Sequence, residues 1–141
     1  MSGLSGSPSA LEWSVTGPNL RATGLAFDVR RDDPYLVYDR IEFDIPTEPG
    51  GDALSRNLVR RAELKQSIHI LRQVIERLPS IKGPIRCPIP NPLAWNVPAG
   101  EAYTRVESSK GELAYYVVSS GGDKPYRVHV RGPSSMHAVQ V

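Results

Sequence analysis

Residues 52–78 read DALSRNLVRRAELKQSIHILRQVIERL, and the periodicity of this stretch decides how the rest of the chain is read. Leu64, Ile68, Leu71, Ile75 and Leu78 recur at steps of four and three, with Leu54, Leu58 and Ala62 extending the stripe toward the N-terminus. That spacing predicts one amphipathic helix. Asp52, after Pro49-Gly50-Gly51, can accept from the unpaired N–H groups of the first turn, and Pro79 stops the helix beyond Leu78. At about 1.5 Å per residue the helix is roughly 40 Å long, enough to reach past a compact domain of this size. The other face carries Arg56, Arg60, Glu63, Lys65, Arg72, Glu76 and Arg77 and reads as a solvated, salt-bridged surface. Arg56, Arg60 and Arg61, however, crowd the end where the helix dipole is already positive and call for an acidic neighbour, with Glu42, Asp44 and Glu48 nearest in sequence.

The totals bound the classes that fit. A chain of 141 residues is one domain or a piece of one, and 40% apolar residues suffice for a modest core. Its 13 prolines and 12 glycines signal long irregular connections. Net charge is +2 with both signs interleaved, so no nucleic-acid surface is expected. A single cysteine, Cys87, excludes an internal disulfide framework and any multi-cysteine metal or iron–sulfur site built from this chain alone. No segment approaches the roughly 18 consecutive apolar residues of a membrane span, and MSGLSGSPSA lacks the pattern of a signal peptide.

From these signals the chain divides as follows. Residues 1–9 form a flexible terminus, and 10–141 are a single α+β unit. Within it, 10–51 hold a short helix, a break at Gly17-Pro18, a second turn ending at Gly24 and a charged loop; 52–78 are the long helix. Ile41, Phe43 and Ile45 alternate with Glu42 and Asp44 as a short strand or extended segment. Residues 79–100, rich in proline, form an extended strap in which Ile85, Ile89, Leu93, Trp95 and Val97 favour burial against the core. Three β-prone runs, 102–107, 113–119 and 125–131, separated by turn residues, predict an antiparallel meander over 101–134, followed by a tail at 135–141. In its last strand Tyr126, Val128 and Val130 share one face, and Arg127, His129 and Arg131 make a basic stripe on the other.

Chemistry-bearing constellations are sparse. No phosphate-binding glycine pattern and no His-Glu-x-x-His spacing occurs, and His69, His129 and His137 form no pair at ligand spacing. Cys87 has no adjacent base or second thiol. The region from Asp28 to Arg40, with Arg30, Arg31, Asp32 and Asp33 among Tyr35 and Tyr38, reads either as a charged loop that docks a partner or lines a buried polar site, or as a self-satisfied network of Arg–Asp pairs.

Four ordered blocks carry a family likeness: TGPNLRATG at 16–24, DVRRDDPYLVY at 28–38, RNLVRRAELKQSIHI at 56–70 and GELAYYVVSSGGDKPYRVHVRGPS at 111–134. Together they resemble the D (49-kDa) subunit of respiratory complex I, NADH:quinone oxidoreductase, over a minor part of such a subunit in its C-terminal half. The resemblance implies part of a fold related to the nickel–iron hydrogenase large subunit, whose two Cys-x-x-Cys pairs are absent here. It also implies a peripheral-arm subunit at the cytoplasmic face of the membrane, shaping the quinone cavity beside the iron–sulfur cluster of a neighbouring subunit. The family's quinone-headgroup His and Tyr belong to its N-terminal portion, so neither role falls on a residue of this chain.

On this reading the chain contributes scaffold and interfaces, binds no cofactor itself and is inactive alone, while its parent complex passes electrons from NADH to quinone and translocates protons. Arg30, Arg31, Asp32, Asp33 and Tyr35 are expected to form a docking or cavity-supporting loop, and Arg127 and Arg131 to contact partners among the other peripheral-arm subunits. No catalytic or metal-binding residue is expected. The alternatives are a free-standing protein-binding module without a redox role and a fragment of a membrane-bound hydrogenase large subunit.

Overall fold

Capping and turn residues cut the first third of the chain into short pieces. In a computed structural model, which describes residues 7–89, 91 and 96–138, α1 spans Ser7–Glu12 and α2 spans Pro18–Arg21, with Pro18 opening its first turn. Helical structure thus begins inside the stretch expected to be a flexible terminus. α3 (Val29–Asp32) is capped reciprocally: Asp28 accepts from the Arg30 N–H at 3.0 Å, and Asp32 accepts from the Asp28 N–H at 2.9 Å. After a 3₁₀ turn at Tyr38–Arg40, residues 41–48 run extended. Among the described residues no strand pairs with them. Instead Gln73 accepts from the Glu42 N–H at 3.0 Å and donates to its carbonyl at 2.5 Å, and Gln66 accepts from the Asp44 N–H at 3.1 Å. Two glutamine amides take the place of a neighbouring strand.

α4 spans Ala53–Arg77, and Asp52 accepts from the Ser55 N–H at 2.7 Å. Its rotation about its own axis differs from the sequence reading. The buried positions are Ser55, Val59 and Ile70, whereas Leu64, Ile68, Leu71, Ile75 and Leu78 are 64%, 45%, 58%, 64% and 60% exposed. At 3.6 residues per turn the two sets lie about 150° apart. Part of the face expected to be solvated packs instead: Glu63 and Arg77, with Gln66 and Gln73 beside them, bond to the N-terminal third, while Lys65, Arg72 and Glu76 stay exposed. That third presents backbone groups and charges that need polar partners, and the leucine stripe meets no apolar surface within the described residues. Arg56 and Arg60 likewise donate to the Gly51 carbonyl and the Asn19 side chain rather than to Glu42, Asp44 or Glu48.

Beyond a 3₁₀ turn at Leu78–Ser80 the proline-rich connection does not strap down. Ile81, Ile85 and Ile89 are 70%, 106% and 67% exposed among the described residues; Leu93 and Trp95 lie outside the described residues. Near its end the connection meets the sheet: the Ser119 hydroxyl donates to the Val97 carbonyl at 3.0 Å, and the Val97 N–H donates to the Gly122 carbonyl at 3.3 Å.

β1 (Gly100–Ser108), β2 (Gly111–Ser119) and β3 (Pro125–Arg131) then form the expected antiparallel meander, in the order β1-β2-β3. Registered partners share a face. Ala102, Val117 and Val128 lie on one side with Thr104, Tyr115 and Val130; Arg105, Ala114 and Arg131 lie on the other with Tyr103, Tyr116 and His129. The second, charged side packs on the N-terminal third, while Tyr115, Val128 and Val130 stay exposed on the first. Pro133 opens α5 (Pro133–Ala138) where a tail was expected. Among the described residues apolar packing includes two small clusters, Ala10, Val15 and Leu20 with Leu25 and Phe27, and Ile41, Phe43 and Ile70 with Tyr38 and Ile45, while Ala22, Val29, Val59 and Ala114 are buried outside them.

One backbone approach joins the two halves. Gly17 adopts φ 71 and ψ −152, a region open essentially to glycine, and a Cβ there would run into the Gly111 backbone. The approach lets the Thr16 hydroxyl accept from the Glu112 N–H at 3.0 Å. Gly17→Ala is expected to lower the unfolding free energy by at least about 2 kcal/mol, read from the urea midpoint. An unchanged midpoint would contradict the approach.

Candidate functional site

Arg21 ends the turn that Gly17 and Pro18 begin, and its side chain is only 3% exposed. Nε donates to Glu63 of α4 at 2.6 Å, and Nη1 donates to Glu107 of β1 at 3.0 Å, to Asp28 at 3.4 Å and to the Phe27 carbonyl at 2.8 Å. One planar guanidinium thereby pins the long helix, the sheet and the start of α3 to one point. Asp28 is shared: Arg30 grips it through two N–H groups at 2.9 and 2.7 Å, which raises the Arg30 pKa further. Glu107 also accepts from the Val29 N–H at 3.2 Å, and the Tyr35 hydroxyl accepts from the Glu107 N–H at 3.2 Å. Burial pushes the Glu107 carboxyl above its ordinary range against the pull of Arg21 and the Val29 N–H. A polar cleft of about 200 Å³ opens beside this cluster, lined by Arg21, Arg30, Glu63, Ser67, Glu107 and Ser108.

A second ionic group adjoins it. Glu112, nearly buried, accepts from Arg105 at 3.4 Å and from Arg131 at 3.1 Å; Arg105 continues to Asp33 at 3.0 Å, and Arg131 donates to the Ser14 carbonyl at 2.8 Å. Glu107 and Glu112 face each other across the β1–β2 register, a like-charge pair that would be unfavourable if each did not turn to its own arginine.

The residues singled out in sequence fall into three groups. Arg30, Asp32 and Asp33 are spent inside the chain, on Asp28, the α3 cap and Arg105 respectively. Arg31 lies 4.6 Å from the centre of the Phe43 ring and bonds the Phe43 carbonyl, while the Tyr35 ring meets Tyr38 edge-on at 5.1 Å. Burial raises the Tyr35 pKa, opposed by the Glu107 N–H. The loop is thus a self-satisfied network, and what it projects is Leu36, 87% exposed at φ 55. Arg131 clamps the sheet internally, whereas Arg127 lines an open surface with Tyr116 and His129.

Sequence reading missed Arg21, Glu63, Glu107, Arg105 and Glu112. One signal was present: Arg21 is the sole charge between Glu12 and Asp28, in a run otherwise apolar or neutral. Such a charge is either at the surface or the centre of a buried network. Among the described residues no group of three or more His, Cys, Asp or Glu side chains could hold a metal ion, and Cys87 is exposed.

These features define a structural module of helix and sheet, joined through buried ion pairs, with its apolar surfaces turned outward. The chain belongs to the family of the respiratory-chain NADH dehydrogenase 49 Kd subunit, which its residues 3–95 and 89–141 match. It is 51% identical to a D subunit of the NADH-quinone oxidoreductase of Roseiflexus sp. (strain RS-1) over 89% of this chain and 34% of that protein. It is 48% identical to the D subunit of the Thermosipho melanesiensis NADH-quinone oxidoreductase, again over 89% and 34%. The chain therefore spans about a third of the length of the curated relatives it matches. Among solved structures it resembles a chain of the membrane-bound sulfane sulfur reductase (MBS), an archaeal respiratory membrane complex, with a TM-score of 0.87 and 50% identity over 97% of this chain and 37% of that one. Among the described residues no helix is long and apolar enough to cross a membrane.

Arg21→Met strands buried carboxylates and is expected to cost roughly 3–5 kcal/mol of stability, read from denaturant midpoints. Glu107 supplies a pH signature. Its folded pKa lies above the ordinary 4.5, so between those values the folded chain holds the extra proton and stability falls as pH rises. Glu107→Gln should remove that part of the slope; parallel pH profiles for the two proteins would contradict the assignment.

Proposed function

We propose that this chain acts as scaffold within the D (49-kDa) subunit of an NADH:quinone oxidoreductase, contributing to electron transfer from NADH to quinone coupled to proton translocation. The observation that carries the reading is the near 50% identity to such D subunits over nine-tenths of the chain. The internal use of the charged side chains supports a holding role: the Arg30–Tyr35 loop braces the sheet through Asp33–Arg105 and Tyr35–Glu107, and so supports a cavity wall rather than reacting. Arg127, free of the internal network of ion pairs described above, is the residue assigned to partner contact, and Arg131, on the same face of β3, fixes the sheet through Glu112 and the Ser14 carbonyl. In this reading the chain is inactive alone and binds no cofactor; quinone and the iron–sulfur cluster of a neighbouring subunit belong to the parent complex. The partners are the other peripheral-arm subunits, the location is the cytoplasmic face of the cell membrane, and the fold is part of the hydrogenase-like large subunit.

The likeness to a sulfane sulfur reductase chain at 50% identity favours one second reading, the same scaffold in a respiratory complex with another terminal acceptor. A single chimera separates them. With the matching segment of the Roseiflexus D subunit replaced by these residues, membranes of a host lacking its own 49-kDa-type subunit are expected to regain NADH-dependent quinone reduction. An assembled complex that reduces no quinone contradicts the first reading.

A further inference from the structure

Among the described residues, three carboxyls and two guanidiniums meet at the hub, one positive charge short of balance. Asp28, Glu63 and Glu107 share Arg21, and Arg30 pairs with Asp28 alone. The side chains of Asp28 and Glu107 are 2% and 4% exposed, so water screens neither. The other neighbours of Glu107 do not supply the missing charge. Arg105, on the same face of β1, is turned to Asp33 and Glu112. Glu112, facing Glu107 from β2, adds a carboxyl that Arg105 and Arg131 answer, and Tyr35 offers its hydroxyl oxygen to the Glu107 N–H. A buried excess of negative charge is removed most readily by a proton.

The distribution of hydrogens selects the carboxyl that takes it. Asp28 is best served: Arg30 reaches it through Nε, Nη2 and the backbone N–H at 2.9, 2.7 and 3.0 Å, and Arg21 adds a bond at 3.4 Å. Glu63 accepts from Arg21 Nε at 2.6 Å, a donor it shares with no other group. Nη1 of Arg21 carries two hydrogens, yet the Phe27 carbonyl, Glu107 and Asp28 all draw on it, at 2.8, 3.0 and 3.4 Å. Glu107 is left with that share and with the neutral Val29 N–H at 3.2 Å. Burial, which raises the Glu107 pKa against the pull of Arg21, acts in the same direction. The polar cleft of about 200 Å³ beside it has room for water, so a proton has a route between the carboxyl and solvent.

We propose that Glu107 is a proton-exchanging carboxyl whose charge sets how tightly the segment from Asp28 to Tyr35 is held to the sheet. That segment hangs on this one residue near both its ends: the Val29 N–H donates to the Glu107 carboxyl, and the Tyr35 hydroxyl accepts from the Glu107 N–H. Charge-assisted hydrogen bonds are about twice as strong as neutral ones, so a proton on Glu107 slackens its hold on both Arg21 and Val29. The Asp33–Arg105 pair remains as a tie farther along the loop, which confines the change to the first turn of α3. The consequence for a loop assigned to supporting a cavity wall rests on the functional reading above; the proton site itself does not.

Side-chain carboxyl ¹³C and backbone ¹⁵N titrations of the 141-residue chain from about pH 4 to 8 read the proton and the segment together. Glu107 is expected to titrate above the ordinary carboxylate range, and the Val29 amide to follow with the same midpoint. In Glu63→Gln one carboxylate leaves the cluster and Arg21 turns more fully to Glu107, so both midpoints should fall by about one pH unit. A Glu107 midpoint at or below the ordinary range in the unaltered chain, or a Val29 amide that does not follow it, overturns the proposal. So does a folded Glu63→Gln protein with an unchanged Glu107 midpoint, since burial alone would then set it. A chimera that reduces no quinone, beside a chain that titrates as expected, fails the functional reading and leaves the proton site standing.

Discussion

A guanidinium taken out of water must be surrounded by negative charge and acceptors, and Arg21 meets that demand with groups drawn from three places in the chain. Asp28 starts α3, Glu63 projects from the middle of α4, and Glu107 closes β1. The short turn at residues 17–21 is therefore the hub against which the helix and the sheet are both positioned. The geometry of Gly17, which allows the Gly111 backbone to come close, is what lets the sheet arrive at that hub.

Polar contact at the centre reverses the usual arrangement of the two large elements. α4 turns Glu63, Gln66 and Gln73 inward, and the sheet turns Arg105, Glu107 and Glu112 inward. Their leucine, isoleucine, valine and tyrosine sides are left facing out. Buried ion pairs contribute little net stability relative to apolar packing but discriminate strongly between arrangements, since each charge left unpaired is costly. Such a piece is suited to fixing the relative placement of a helix and a sheet while offering both to further parts of a larger fold. The family membership, with the chain spanning about a third of its relatives, accords with that.

What the sequence made legible was local. The α4 boundaries followed from Asp52, Pro79 and the apolar period; the meander followed from β-prone runs between Gly-rich and Ser-rich turns. The hub was not legible, because the partners of Arg21 lie 7, 42 and 86 residues away and carry no spacing signature. Periodicity located the stripe on α4 without saying which side meets this chain, and the extended run at 41–48 resembled a strand whose partner turned out to be glutamine side chains. Of the charged loop, the residue types were visible, but their consumption by Asp28, Phe43 and Arg105 depended on the fold.

The central claim is that Arg21 couples α4 to β1 through one guanidinium. The most direct measurement is a double-mutant cycle on the stability of the chain, combining Arg21→Met with Glu63→Gln and, separately, with Glu107→Gln. The account predicts coupling energies of about 1 kcal/mol or more in both cycles, because each partner loses its meaning once the shared charge is gone. Additive effects in both would contradict it, and would mean that helix and sheet are held to the N-terminal turn by something other than this ion cluster.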